Sequence, residues 1–339
     1  MNRLQAVLGL QLPLIQAGMG GVAGTRLCTE VSRAGAGGTL ALYKEPPDRI
    51  REAVREVATA TSRPFGVNII PEVTSPELCR AQLDAALGEL PGNGYVTTFG
   101  LPGADTARDV TRTGRPLVVQ IGTPDDASAA LRVGADVLVL QGTEAGGHLL
   151  GELPVAELLY AVRTRHPDAV IAVAGGVATG ADLARARSAG ADGAMAGTVF
   201  VPTPESMAHP LFKRRIVDAR ADDTVVTGRY DIGWPARPHR VLRNALTEES
   251  SRLPATFIAT TRVGAARIPV PRYSATVPGA GTEGRIDEMA MYCGTSCDRV
   301  TAQDTAAAAV VRQIRHEYEH EYALSYEMEG GPWTAPSNR

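Results

Sequence analysis

Between Leu12 and Ala196 the sequence alternates eight times between a short apolar strand and a segment with helical spacing. No hairpin signal separates consecutive strands, so the strands are predicted to run parallel. Eight such units are typical of a closed α/β barrel, and the sequence predicts a (β/α)8 TIM barrel. An open doubly wound sheet is the alternative, although its usual strand number is lower. The predicted strands are Leu12–Ala17, Thr39–Tyr43, Phe65–Ile70, Tyr95–Phe99, Pro116–Gln120, Ala135–Leu140, Val170–Ala174 and Ala191–Ala196. The helix after the second strand, Asp48–Thr61, is predicted to have Asp48 as its N-cap.

The regular alternation of strand and helix segments ends near Lys213. Residues 214–284 are rich in arginine, proline and threonine, and they predict a smaller inserted domain of α-rich or α+β structure. Thr301–Tyr318 has amphipathic spacing and would complete the outer ring of helices. The expected division is a TIM barrel of residues 1–213 and 285–326, the insert, and a C-terminal tail of residues 327–339.

Composition excludes several classes of function. The formal net charge of -3 gives no electrostatic case for binding nucleic acid or an anionic membrane surface. The N-terminus lacks the apolar core of a signal peptide, and no run approaches about eighteen apolar residues, so a cytoplasmic location is expected. Cys293 and Cys297 have a metal-like spacing without a second ligand pair nearby, which predicts free thiols. The sequence leaves a homodimer open.

The sixth predicted strand leads into Gln141-Gly-Thr-Glu-Ala-Gly-Gly-His148, a glycine-rich turn that ends in a histidine. At the carboxyl end of a barrel strand, His148 could act as a general base or acid near neutral pH. Glu144 is a candidate partner that could equally bond to the backbone of the turn. The alternative is an ordinary loop in which His148 only bonds to backbone. The other histidines are predicted to be solvated or structural: His166, His209, His239, His316 and His320.

Two further glycine turns follow the seventh and eighth strands, Ala174-Gly-Gly-Val177 and Met195-Ala-Gly-Thr198. Glycine lets the backbone approach an anion closely, and the loops after the last two strands of a barrel often bind phosphate. Thr198 adds a hydroxyl donor. The two turns together predict a phosphorylated ligand; simple turn geometry is the alternative.

These segments resemble the nitronate monooxygenase family, once called 2-nitropropane dioxygenases, and its sister group, the FMN-dependent enoyl-ACP reductases. The resemblance runs from about Leu12 to Arg315 and is weakest in the insert. Its motifs are specific for the superfamily and much less specific for one reaction within it. They are Pro13–Met19, Pro64–Ile69, Gln141–His148, Ala174–Val177, Gly197–Phe200 and Pro204–Pro210.

The resemblance implies an FMN-binding TIM barrel that acts on a small-molecule substrate with O2. His148 matches the family's catalytic histidine, and it would take the α-proton of a nitroalkane or hold the nitronate. The products would be a carbonyl compound and nitrite. The residues implied to contact FMN are Gly18, Met19, Asn68, Gln141, Gly146, Gly175, Gly176, Met195, Ala196, Gly197 and Thr198.

One loop departs from the family pattern of an Ala-Gly-Gln segment near the flavin. Gly294 matches its glycine, but Thr295 replaces the glutamine, which changes a hydrogen-bond donor beside the cofactor. The same motifs suit an NAD(P)H-dependent FMN reductase of an enoyl thioester or quinone, which is the alternative function. A flavin-binding protein without catalysis is a third hypothesis, and the retention of His148 argues against it.

Overall fold

The structure is a computed structural model that describes residues 2–235, 237–263, 266–300 and 303–328. Eight parallel strands form its centre. In chain order they are β1 Leu14–Gln16, β2 Gly38–Ala41, β3 Phe65–Ile69, β4 Tyr95–Phe99, β5 Leu117–Ile121, β6 Val137–Gln141, β8 Ile171–Ala174 and β9 Gly193–Ala196. Their order around the sheet is β1-β9-β8-β6-β5-β4-β3-β2. A parallel bridge between Ile15 and Gly37 brings the two edge strands together. The predicted (β/α)8 barrel is confirmed.

The barrel interior explains why the strands are nearly continuous apolar runs. All five residues of β6 are buried, as expected where helices cover the outer face and side chains fill the inner one. Tyr95 is fully buried inside the barrel, and its hydroxyl donates to the Gly38 carbonyl at 3.1 Å. A Cβ at Gly66 would lie 2.2 Å from the Tyr95 ring, so this strand position is glycine because the tyrosine fills its space.

Helices surround the barrel and follow the predicted rhythm. They are α1 Arg3–Leu8, α2 Thr25–Arg33, α3 Pro47–Ala60, α4 Pro76–Glu89, α5 Ala104–Thr111, α6 Pro124–Arg132, α7 Val155–Arg165, α8 Gly180–Ser188, α9 Pro210–Asp218, α10 Ala245–Glu248 and α11 Ala307–Met328. Among the described residues, no helix has the length and apolar character that a membrane crossing requires.

Two helix ends differ from the sequence-based expectation. Asp48 was expected to cap α3, but that helix begins at Pro47 with Pro46 at the N-cap position. Proline is favoured at the first helical position because it has no N–H to leave unpaired. Asp48 instead lies in the first turn, where its charge suits the helix dipole. At the other end of the chain α11 continues to Met328, so the first two residues of the expected tail are helical. Residues 329–339 of that tail lie outside the described part.

The segment after the eighth barrel strand has mixed helical and strand structure. Its strands, with a two-residue strand from the barrel loop, are β7 Gly147–His148, β10 Thr224–Thr227, β11 His239–Leu242, β12 Phe257–Val263, β13 Ala266–Pro271 and β14 Glu283–Gly284. They form two small sheets, β10-β11-β7 and β13-β12-β14. Because β11 pairs with β7, His239 lies opposite His148 in the first of these sheets. The division of the chain at residue 214 stays a prediction, since α9 runs across that position.

Candidate active site

A cavity of about 1190 Å³ opens where the barrel strands end. Pockets for small ligands usually enclose about 300–1,000 Å³, so this cavity has room for a mononucleotide and a small substrate together. Every residue that the sequence assigned to the site lies along its wall. They are His148, Gly18, Met19, Asn68, Gln141, Gly146, Gly175, Gly176, Met195, Ala196, Gly197 and Thr198.

The turn after β8 has the geometry that a bound anion requires. Gly175 and Gly176 have φ of +114° and +73°, a region that favours glycine. A Cβ at Gly175 would also lie 2.9 Å from the backbone nitrogen of Ala145. Thr198 accepts a hydrogen bond from the Gly294 N–H at 3.0 Å, which leaves its own hydroxyl hydrogen free to donate. This donor set fits a phosphate group.

An ion pair between the buried Asp182 and the exposed Arg299 holds the turn after β8. Asp182 is 4% exposed, and its carboxylate accepts from the backbone N–H groups of Ala178 and Thr179. Arg299 donates to Asp182 at 3.0 Å and to the Gly176 carbonyl at 2.8 Å. Burial alone would raise the pKa of Asp182, but the Ala178 hydrogen bond and the Arg299 charge outweigh it and lower that pKa. The ionised carboxylate therefore positions the turn, a role that the sequence motifs did not indicate.

Elsewhere in the cavity wall, His148 lies among aromatic rings. Its ring stacks on Trp234 with centroids 4.0 Å apart and planes inclined by 15°. Tyr292 and His239 lie 5.2 Å and 5.1 Å away, centroid to centroid. His148 is only 6% exposed, and its Nε2 atom is buried without a hydrogen-bond partner among the described residues.

This environment keeps His148 uncharged. Burial, with smaller contributions from the nearby His239 and Arg237, lowers its pKa to about 3. A buried imidazole without a carboxylate partner loses its hydration when charged, so the neutral form is favoured. A base this weak is poorly matched to removing a proton from a neutral carbon acid at pH 7.

Gln141, at the end of β6, and Glu144, in the loop that follows, hold the loop that carries His148. Gln141 donates to the His148 carbonyl at 2.9 Å and accepts from the Leu150 N–H at 2.9 Å, so its amide clamps the loop across its base. The carboxylate of Glu144 accepts from the Val155 N–H at the start of α7, at 3.0 Å for the closer oxygen. Of the two alternatives for Glu144, the structure selects bonding to backbone.

His239 was expected to be structural, and its hydrogen bonds agree with that expectation. Its Nε2 accepts from the Tyr230 N–H at 3.1 Å, so Nδ1 carries the ring hydrogen and faces the Arg237 carbonyl at 3.2 Å. The sequence gave no indication that this ring lies beside His148, because their strands pair only in the folded chain. Within the described ranges, no group of three or more histidine, cysteine or acidic side chains could hold a metal ion.

The loop that departs from the family pattern packs directly against the loop after β6 and against Thr198. A Cβ at Gly294 would lie 2.8 Å from the Glu144 carbonyl oxygen, so glycine is required there. Thr295 bonds to the same carbonyl through its backbone N–H, at 2.9 Å. Cys293 and Cys297 flank this loop as buried free thiols, as predicted.

Comparison with known proteins gives consistent matches. A family model described as nitronate monooxygenase matches residues 1–317. A (3aS,4S,5R,7aS)-5-hydroxy-7a-methyl-1-oxo-octahydro-1H-indene-4-carboxyl-CoA dehydrogenase from Mycobacterium tuberculosis is 35% identical over 249 residues, covering 73% of this chain and 67% of that protein. A nitronate monooxygenase from Pseudomonas aeruginosa is 32% identical over 285 residues, covering 70% and 80% respectively. The structure of FabK from Thermotoga maritima superposes with a TM-score of 0.79 at 26% identity, over 97% of this chain and 99% of that one.

Proposed function

Because the chain belongs to the nitronate monooxygenase family, a family of flavin-dependent oxidoreductases, we propose that it binds FMN and oxidises alkyl nitronates with O2. The products are a carbonyl compound and nitrite. The observation that carries this proposal is a buried, uncharged His148 beside a cavity large enough for flavin and a small substrate, with an Nε2 atom that has no hydrogen-bond partner among the described residues.

The glycine turns are proposed to hold the cofactor. Gly175, Gly176, Gly197 and Thr198 would hold the phosphate through backbone N–H groups and one hydroxyl. FMN, when bound, supplies the redox chemistry that this chain's side chains lack. The residues proposed to line the rest of the flavin are Gly18, Met19, Asn68, Gln141, Gly146, Met195 and Ala196.

His148 is proposed as the catalytic residue that contacts the substrate. A nitronate is an anion, and a nearby negative charge favours the protonated imidazole. Binding a nitronate would therefore raise the pKa of His148 from about 3 and create a charge-assisted hydrogen bond from the ring. A neutral nitroalkane offers no such charge and needs a base stronger than this buried histidine. We therefore expect the nitronate to be used far better than the parent nitroalkane.

The test of this role is His148→Gln with FMN content measured in the same preparation. We expect kcat/KM for ethyl nitronate to fall by about 10²–10⁴-fold while FMN remains bound. The matched control is His316→Gln, which changes an exposed histidine on α11 and should leave the rate unchanged. Unchanged turnover in the His148 variant would contradict the assignment.

A second candidate function is an NAD(P)H-dependent FMN reductase of an enoyl thioester or quinone, and the charge of the cavity rim favours it. Arg26, Lys44 and Arg262 line the cavity, are exposed, and have no ion-pair partner within the described ranges. Such cations suit the phosphates of CoA or NADPH, and one relative is named as a CoA dehydrogenase. If this function is correct, Arg262→Ala should raise KM for a CoA thioester or NADPH and leave nitronate kinetics unchanged.

A further inference from the structure

Trp234 reaches the site from the segment between β10 and β11 and covers His148. Its indole is 6% exposed and stacks on the imidazole at 4.0 Å. Two aromatic rings from the barrel side enclose it: Tyr43 at 5.5 Å and Phe99 at 5.4 Å, the latter edge-on at 85°. The indole therefore fills the space between the histidine and the loops of two barrel strands.

Both facing rings carry an unsatisfied nitrogen. Nε2 of His148 and Nε1 of Trp234 are each buried without a hydrogen-bond partner in the described part of the chain. Burying a polar atom without a partner is destabilising, so each of these nitrogens is available to bond a group that enters the site. Because Nε2 is buried, a substrate can reach it only when a neighbouring side chain shifts, and the indole is the nearest of the rings around the imidazole, ahead of His239 and Tyr292.

The segment that carries Trp234 is held by hydrogen bonds on both sides, and the indole takes no part in them. Toward the insert, Asp231 forms two hydrogen bonds with Arg252, at 2.7 Å and 3.0 Å, and the Ile232 N–H donates to the Tyr273 carbonyl at 3.0 Å. Toward the barrel, the Tyr43 hydroxyl donates to the Gly233 carbonyl at 3.4 Å, and Arg237 donates to the Glu72 carboxylate at 2.8 Å. The indole makes none of these hydrogen bonds, so its ring can rotate without breaking them.

We propose that Trp234 is the specificity-determining residue of this site, because its ring covers His148 and substrates reach Nε2 only by displacing it. The size of the side chain at position 234 then sets which substrates are admitted. The role of Trp234 in specificity rests on the proposed function, because it requires that His148 takes part in turnover. The covering of His148 is a property of the protein that is measured without any reaction.

The first experiment measures that covering by chemical modification. The purified flavoprotein is treated with diethyl pyrocarbonate, and the modification rate of His148 is compared by mass spectrometry with that of exposed His316 in the same sample. Trp234→Ala should raise the relative rate of His148 at least about tenfold, because no opening step remains. Trp234→Phe keeps a covering ring, and its rate should stay within about threefold of the parent protein. If the alanine variant does not fold, Trp234→Leu carries the same expectation as alanine.

The second experiment measures specificity. The ratio of kcat/KM for the nitronate of phenylnitromethane to that of nitroethane should rise at least about tenfold in Trp234→Ala and stay nearly constant in Trp234→Phe. Equal labelling of His148 in the parent and Trp234→Ala would overturn the covering role. Faster labelling with an unchanged substrate ratio would overturn the role in specificity. If the parent turns over neither nitronate, the proposed function fails, and the labelling rates still decide whether Trp234 covers His148.

Discussion

Replacing His148 with glutamine should reduce the loss of folding stability that this protein shows when the pH is lowered from 7 to 5. The folded-state pKa of His148 is about 3, against about 6.5 for an ordinary histidine. Below pH 6.5 the unfolded chain therefore binds a proton at this position that the folded chain does not. By linkage, the contribution of His148 to the free energy of unfolding is most favourable above pH 6.5 and falls as the pH drops from 6.5 toward 3.

The size of the effect follows from this pKa difference. Each proton bound only by the unfolded state costs about 1.36 kcal/mol per pH unit. A pH of 5 lies about 1.5 units below the unfolded pKa and well above the folded one, so His148 alone costs about 2 kcal/mol between pH 7 and pH 5. Its side chain is nearly fully buried, so solvent screening reduces this figure little.

The assay is urea denaturation of the parent protein and of His148→Gln at pH 7 and pH 5. Other histidines, including His239, also titrate with lowered pKa values. Their contribution cancels when the pH-dependent change in the variant is subtracted from that in the parent. We expect a difference of about 2 kcal/mol, with the parent losing more stability. An equal loss in both proteins would show that His148 is not held uncharged, and the account of the site would be wrong.

Three further changes test the supporting parts of the site. Gly175→Ala should weaken FMN binding at least about tenfold, because it strains a backbone at φ +114° and crowds a neighbouring amide. Flavin fluorescence titration measures this, with Gly88→Ala as a control whose Cβ would meet nothing within 4 Å. Gln141→Leu should lower the free energy of unfolding by about 2–4 kcal/mol, since it leaves a buried carbonyl and a buried N–H unpaired; an unchanged urea midpoint would contradict this. Asp182→Asn should weaken the ion pair with Arg299, which also bonds the Gly176 carbonyl in the turn after β8, and should thereby reduce FMN affinity. Unchanged affinity would mean that the pair is only structural.

The barrel was predictable from the sequence because each of its units has a local signal. Buried strands such as β6 are apolar throughout, and the helices between them have regular spacing. The glycine turns were recognisable for a similar reason, since Gly175 and Gly176 need conformations that favour glycine. The positions of individual caps were harder: Asp48 is a good capping residue, but the preceding prolines place the helix start two residues earlier than a cap at Asp48 allows.

The surroundings of His148 were not predictable from local patterns. Trp234 and His239 come from the insert, and their contacts with His148 depend on the pairing of β7 with β11. A single tryptophan between a glycine and a proline has no periodicity that would place it over a distant histidine. Likewise, the sequence could assign Gln141 to the cavity but not show that its amide is already bonded within its own loop.

These contacts also change the chemistry expected of the site. As a free histidine, His148 would be a suitable general base near neutral pH. Burial under Trp234 makes it a neutral group that favours an anionic partner. The surroundings of the histidine, rather than its identity, therefore direct the proposal toward nitronates.

The measurement that tests the central claim most directly is an anaerobic absorbance titration of the purified protein, once with ethyl nitronate and once with NADPH. We expect the protein to carry FMN, its flavin absorbance to change on addition of the nitronate, and no change with NADPH. Bleaching by NADPH alone would contradict the nitronate oxidation and support the reductase. A protein that neither carries nor takes up flavin would contradict the assignment of the cavity itself.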